Sequence, residues 1–154
     1  MTVEFECEER IAAPVETVFD LSLDIDVHVA SMADSGERAI GGVTSGLIGL
    51  GENVTWRAKH FGVPFTMTSR ITEFDRPARF VDEQQRGPFR RFRHEHLFEP
   101  VDGSTLMTDR ISFDAPLWVL GDVVELAVLG RYLEKLIRER NKFLKAEAER
   151  RAAT

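Results

Sequence analysis

The sequence predicts an α+β fold: a curved antiparallel sheet of about seven strands wrapped round one long C-terminal helix, with two short helices after the first strand. Three observations predict it. Apolar and polar residues alternate in a series of segments separated by tight-turn signals, which is the pattern of an antiparallel meander. The segment between the first two of these strands changes to helical spacing. The last fifth of the chain carries a long apolar stripe, also at helical spacing. A meander curls as it twists, and its concave face is the only large apolar surface against which the long helix can bury its stripe.

Length and composition bound the reading. The chain has 154 residues, enough for one domain over residues 1–154 with a substantial core. Hydrophobic content of 43% and charged content of 30% are ordinary for a globular protein. The one cysteine, Cys7, excludes an internal disulfide. Met1-Thr2-Val3-Glu4 lacks the basic-then-apolar run of a secretory signal. No segment has the roughly 18 uninterrupted apolar residues of a membrane span, so no stable membrane insertion is expected. A cytoplasmic protein is the expectation. The net charge of −6 is uneven, with acids concentrated in residues 1–37 and bases in residues 131–151. Two complementary solvated faces explain that split better than a nucleic-acid arm, and no nucleic-acid partner is expected.

Thr2–Ile11 alternates Val3, Phe5, Cys7 and Glu9 against Glu4, Glu6 and Glu8, a one-sided strand. Ala12-Ala13-Pro14 ends it, and Pro14 suits the first turn of a helix carrying Val15, Val18, Phe19 and Leu21. Asp24 or Asp26 caps a second short helix to about Met32, with His28 read as a surface or capping residue. A strand follows over Glu37–Val43. The glycine-rich run Gly41–Gly51 has neither Gly-Lys-Ser/Thr nor G-x-G-x-x-G, so it is no phosphate cradle. It reads either as a mobile lid tipped by Leu47, Ile48 and Leu50, or as a loop whose aliphatics fold into the core.

Glu52–Phe61 alternates Val54, Trp56, Ala58 and His60 against polar residues, and a turn at Gly62-Val63 returns Phe65, Met67, Ser69 and Ile71 on the same face. That turn sets His60 opposite Phe65, Ala58 opposite Met67 and Trp56 opposite Ser69. Asp75-Arg76-Pro77 and Gly87-Pro88 bracket a strand at Phe80–Gln85 whose register stays open: a two-residue loop turns Glu83 inward, a three-residue loop Asp82. In Phe92–Phe98 the side chains of Phe92, His94, His96 and Phe98 share one face. Asp102-Gly103 centres the next hairpin, which pairs His96 with Asp109, His94 with Ile111 and Phe98 with Met107. A buried imidazole needs a hydrogen-bond partner, and Asp109 is the one this register offers to His96. After Phe113, an apolar connection over 115–121 leads to Asp122, the expected cap of a helix over about 122–150. Its stripe is Leu126, Leu129, Leu133, Leu136, Ile137, Arg140, Phe143 and Leu144.

A curved sheet around a straight rod cannot close everywhere. The hollow is expected to be lined by Trp56, His60, Phe65, Met67, Phe92, His94, His96, Met107, Asp109 and Phe113, an aromatic and methionine surface with a few polar points, as small-ligand pockets are made. On the outer face, Arg57, Lys59, Arg70, Arg91, Arg93 and Arg110 read as a solvated charged surface, with an anionic partner or headgroup surface as the alternative, and Leu97 and Leu106 mark where a homodimer would meet.

The element order, together with Val54-Thr55-Trp56-Arg57-Ala58-Lys59-His60-Phe61-Gly62, Phe92-Arg93-His94-Glu95-His96-Leu97-Phe98-Glu99 and Thr108-Asp109-Arg110, resembles the START-like or SRPBCC superfamily. Within it, the resemblance is to small bacterial stand-alone members of the polyketide cyclase/dehydrase-like or lipid-transport-like group. The resemblance implies the helix-grip fold, a deep pocket between sheet and C-terminal helix, and a small hydrophobic or amphipathic ligand. It does not fix chemistry, because the superfamily holds carriers, sensors and enzymes.

Two functions from different classes stay open. In a carrier, His60, His94 and a His96–Asp109 pair would orient one polar group of a lipid or polyketide-like ligand. In an aromatase/cyclase- or dehydrase-type enzyme, His96 oriented by Asp109 would be the general base, with His94 beside it as a further catalytic candidate. His94 and His96, at i and i+2, project the same way about 7 Å apart, and Asp109 or His60 is within reach as a third ligand. No second pair has ligand spacing, so neither a metal nor a cofactor is expected.

Overall fold

The computed structural model describes residues 2–116 and 123–154. Seven antiparallel strands form one sheet: β1 (Thr2–Ile11), β2 (Arg38–Gly42), β3 (Asn53–His60), β4 (Val63–Asp75), β5 (Arg79–Arg86), β6 (Phe89–Val101) and β7 (Ser104–Pro116). Two short helices, α1 (Val15–Ser22) and α2 (Ile25–Ser31), lie between β1 and β2, and α3 (Val123–Ala152) ends the chain. The spatial order is β1-β7-β6-β5-β4-β3-β2. The chain therefore starts on one edge, crosses through α1 and α2 to the opposite edge, and returns strand by strand. This is the helix-grip architecture, and it agrees with the fold expected from the alternation pattern. Asp122, the expected cap of α3, and the apolar connection over 117–121 lie outside the described residues.

Local chemistry explains the boundaries. Pro14 opens α1, and the Asp24 carboxylate accepts the Val27 N–H at 3.1 Å to cap α2. The sheet bends where β4 carries register shifts, at Thr68/Ser69 and Ile71/Glu73. A further shift at Ala39/Gly41 curls β2, and there Gly42, with φ +68°, passes so close to β3 that a Cβ would meet the Asn53 carbonyl. The run over 41–51 combines both expectations for it. Ile48 is buried and the Ile48 N–H donates to the Leu23 carbonyl at 3.1 Å, whereas Leu47 and Leu50 are exposed.

One hairpin register differs from expectation. Asp102 (φ 49°) and Gly103 (φ 78°) make the β6–β7 turn, and β6–β7 pairs as expected, His96 with Asp109. In β3–β4 the two-residue turn is Phe61-Gly62, not Gly62-Val63, so His60 pairs with Val63, Ala58 with Phe65 and Trp56 with Met67. The pairing slips by two residues, which preserves parity, and the same side chains still face inward.

The inner face of the sheet has a sealed half and an open half. In the sealed half, α1 drives Phe19 into Phe74, Phe80 and Phe98 at ring separations of 5.5, 5.5 and 5.2 Å, all edge to face. Val54, Ile71 and Met107 are buried with them. A second cluster gathers Ile111, Phe113 and Leu126, flanked by half-buried Phe89, Phe92, Leu129, Leu133 and Ile137. At about 1.5 Å per residue α3 is about 45 Å long, and it packs closely on β1, α1 and α2 while the middle strands lie further off. Inward-facing Trp56, His60, Phe65, Met67 and Phe92 therefore keep surface that water reaches. A recess of about 260 Å³ opens between α2 and α3, against Met32, Asp34, Leu136, Glu139 and Phe143.

Candidate functional site

A band of polar side chains runs along the seam between the two apolar clusters. The alternation of β6 delivers His94 and His96 to the inner face, β7 delivers Asp109, and β5 delivers Asp82, opposite His94. The register left open by the sequence is thus the one that turns Asp82, not Glu83, inward. The two imidazoles stack on each other at 3.7 Å, and Phe80 stacks on His96 at 4.0 Å.

Hydrogen bonding crosses the strands diagonally rather than directly. His94 Nε2–H donates to Asp109 Oδ1 at 2.7 Å, and His96 Nε2–H donates to Asp82 Oδ2 at 2.7 Å. The expected His96–Asp109 bond is therefore replaced: His96 Nδ1 lies 3.4 Å from Asp109 Oδ1 and makes no hydrogen bond among the described residues. The reason is that adjacent inward side chains on β6 stack, which swings the two rings toward opposite neighbours. From α3, Arg140 donates to Asp109 Oδ1 at 3.3 Å and Asn141 to Asp109 Oδ2 at 2.7 Å, while Arg140 also donates to the Asn141 side-chain oxygen at 3.0 Å. Asn141 is absent from the expectations drawn on sequence. A signal does exist, since an arginine inside an apolar helix stripe must find a buried carboxylate.

Burial and neighbouring charge set the protonation. Burial, with His96 alongside, pushes His94 down to about 4, so it is neutral near pH 7. Burial alone would raise Asp109, but its hydrogen bonds and the Arg140 charge outweigh that and hold the carboxyl well below the ordinary value. Asp82 is likewise lowered, against burial, by the His96 bond and nearby positive charge. Burial pushes the Cys7 thiol up to about 11, so Cys7, paired opposite Asp109, is no thiolate nucleophile at neutral pH.

Accessibility separates these groups. Asp109 is fully buried, the side chains of His94, His96 and Arg140 are 8% exposed or less, and Asp82 retains 21%. Of the groups in this network, Asp82 keeps the most solvent contact. On the inner side of β3, His60 Nδ1 and the Tyr132 hydroxyl are 2.7 Å apart, joining β3 to α3. Burial lowers His60. His28, read from sequence as a surface or capping residue, bonds Glu37 at 2.6 Å and lies 4.3 Å from the Trp56 ring, the planes tilted by 34°. Met107 and Phe113, expected as lining, are fully buried in packed core. Asp82, His94 and His96 also offer one ligand atom each within 4.8 Å of one another. Both Nε2 atoms are engaged by carboxylates, so a cation bound through Asp82 and His96 Nε2 would have to break their hydrogen bond.

The family model described as polyketide cyclase / dehydrase and lipid transport matches residues 2–149. The chain belongs to this family. Solved structures similar to this family member include the Zhui aromatase/cyclase from Streptomyces sp. R1128, at TM-score 0.78 and 19% identity, covering 98% of this chain and 96% of that one. TTHA0849 from Thermus thermophilus has TM-score 0.73 and 17% identity, with 95% and 99% covered. Ginseng major latex-like protein 151 from Panax ginseng has TM-score 0.67 and 15% identity, with 96% and 97% covered. At these identities the likeness is one of fold. Comparison with curated proteins gives no match. No helix among the described residues is long and apolar enough to cross a membrane.

Proposed function

We propose that this family member binds one small hydrophobic or amphipathic ligand, lipid or polyketide-like, in the hollow between the sheet and α3. The observation that carries the reading is the contrast across the inner face. One half is sealed by α1, while in the other the inward-facing Phe65, Met67 and Phe92 are only half-buried. An apolar body would displace the water there, and each buried CH₂ would contribute about 0.8 kcal/mol. Asp82 and the His60–Tyr132 pair would take a donor group such as a hydroxyl. His94, His96, Asp109 and Arg140 stand behind Asp82 and hold it in place. A reducing, cytoplasmic setting suits the unpaired buried thiol of Cys7.

Titration with the fluorescent probe anilinonaphthalene sulfonate tests this. Saturable binding that Leu133→Trp removes, in a variant that melts like the parent, is the expected result. Binding unaffected by filling the hollow overturns the proposal.

Acid–base catalysis of cyclisation or dehydration is a second reading, and the exposure of Asp82 favours a different actor from the one expected. His96 is nearly inaccessible and its Nε2–H is committed to Asp82, so the group positioned to meet a substrate is Asp82. Its lowered pKa makes it a weak base, which is why binding stands first. Turnover of an enolisable poly-β-ketone that disappears in Asp82→Asn, with probe binding retained, would establish the catalytic reading.

A further inference from the structure

The β3–β4 hairpin projects past the rest of the sheet. Val63–Met67 pair with β3, but β5 joins β4 only from Thr68, opposite Arg86. At the tip Phe61 has φ 56° and is 66% exposed. The first position of such a turn favours asparagine or glycine, and a bulky side chain there strains the backbone. The chain therefore holds an aromatic ring in water at a conformational cost. Phe61 leans on Tyr132 at 4.5 Å, and at four-residue steps from Tyr132 the same flank of α3 presents Val128 and Val124, 55% and 70% exposed. Val63, beside the turn, is exposed as well.

Cations are carried by the same hairpin and helix as this apolar line and by the adjacent β5–β6 end. Lys59 and Arg57 lie on the outer face of the hairpin, Arg131 adjoins Tyr132, and Arg86 and Arg90 come from the β5–β6 end. All five are exposed, and none makes an ion pair among the described residues. Elsewhere on the outer face Arg79, Arg91, Arg93 and Arg110 are each matched to an acid. At this end Asp114 is taken by Arg91 and Glu134 by Arg138, and Glu125 lies in the first turn of α3.

We propose that this end of the molecule docks on an anionic lipid bilayer, with Phe61, Val124 and Val128 entering the interface and the five cations meeting headgroups. The charge complements an anionic surface despite the net −6 of the chain. A convex apolar tip fits a yielding bilayer interface, and apolar insertion combined with basic flanks is how peripheral proteins hold to one. The inference is independent of what the hollow binds.

Flotation of the full chain with vesicles tests it, comparing phosphatidylcholine containing phosphatidylglycerol against phosphatidylcholine alone. The protein is expected to float with the anionic vesicles only, and to be released by high salt. Phe61→Asn should lower the partition coefficient at least about tenfold, yet melt no lower than the parent, because Asn-Gly relieves the strained turn. Lys59→Glu combined with Arg131→Glu should abolish flotation. No flotation, equal flotation with neutral vesicles, or flotation unchanged in Phe61→Asn overturns the proposal. So does a Phe61-dependent dimer in sedimentation without flotation.

Discussion

Asp109→Asn is the sharpest perturbation of the polar seam. Asp109 is wholly buried and accepts from His94, Arg140 and Asn141, and Arg140 is itself buried. The substitution preserves shape but removes the charge, leaving the Arg140 guanidinium desolvated with only amide oxygens. Losing one partner of a buried ion pair costs about 3–5 kcal/mol. The His94 bond weakens from charge-assisted to neutral, adding about 1 kcal/mol. In urea, with a slope of about 2 kcal/mol/M for a domain of this size, the midpoint should fall by about 2–3 M. Arg140→Met added to Asp109→Asn should recover a large part of the loss, since no unpaired charge then stays inside. A single-variant loss below about 1 kcal/mol, or a double variant that merely adds a further loss, would refute the account of the seam as a charge-compensated network.

Acid should destabilise the protein through His94. Its folded pKa of about 4 lies below the ordinary 6.5, so below about pH 6.5 the unfolded chain takes up a proton that the folded chain refuses, and stability falls with pH across that window. From about pH 7 to about pH 4.5 this amounts to about 2 kcal/mol. His94→Gln, which keeps a donor for Asp109 without titrating, should flatten the profile by that amount, whereas parallel profiles would exclude the mechanism. Tyr132→Phe removes the hydroxyl joined to His60 and should cost about 1 kcal/mol in thermal or urea unfolding. The same variant should speed release of anilinonaphthalene sulfonate, measured by stopped flow, because the link between β3 and α3 is loosened. Met67→Trp, which adds bulk on the inward face of β4 where the proposal places the ligand, should reduce probe affinity with little change in melting temperature.

Much of the fold is legible in side-chain alternation because each inward face must be apolar, and this holds for Phe92–Phe98 and Met107–Phe113 in particular. The β6–β7 register is legible because Asp-Gly is the pair that a tight hairpin with two positive φ angles selects. The β3–β4 register is not, because Phe61 occupies a turn position that local energetics disfavours. The inward face of β5 hangs on the count of residues in one loop, which Gly87-Pro88 alone leaves ambiguous. The partner exchange between the histidines is invisible to pairing arithmetic, since ring stacking, not strand register, decides which carboxylate each Nε2 reaches. Arg140 is in view within the helix stripe, but its carboxylate becomes identifiable only when α3 is laid across β7. That Trp56, His60, Phe65, Met67 and Phe92 stay half-buried while Met107 and Phe113 are sealed depends on where α1 and α3 pack, which alternation within the strands does not encode.

The most direct measurement is a set of intermolecular nuclear Overhauser effects between bound anilinonaphthalene sulfonate and side-chain methyls. The account predicts contacts to Met67, Leu133 and Ile137, inside the hollow between β4 and α3. Contacts confined to outward residues such as Val124 and Val128, or an interior that admits no probe, would contradict it.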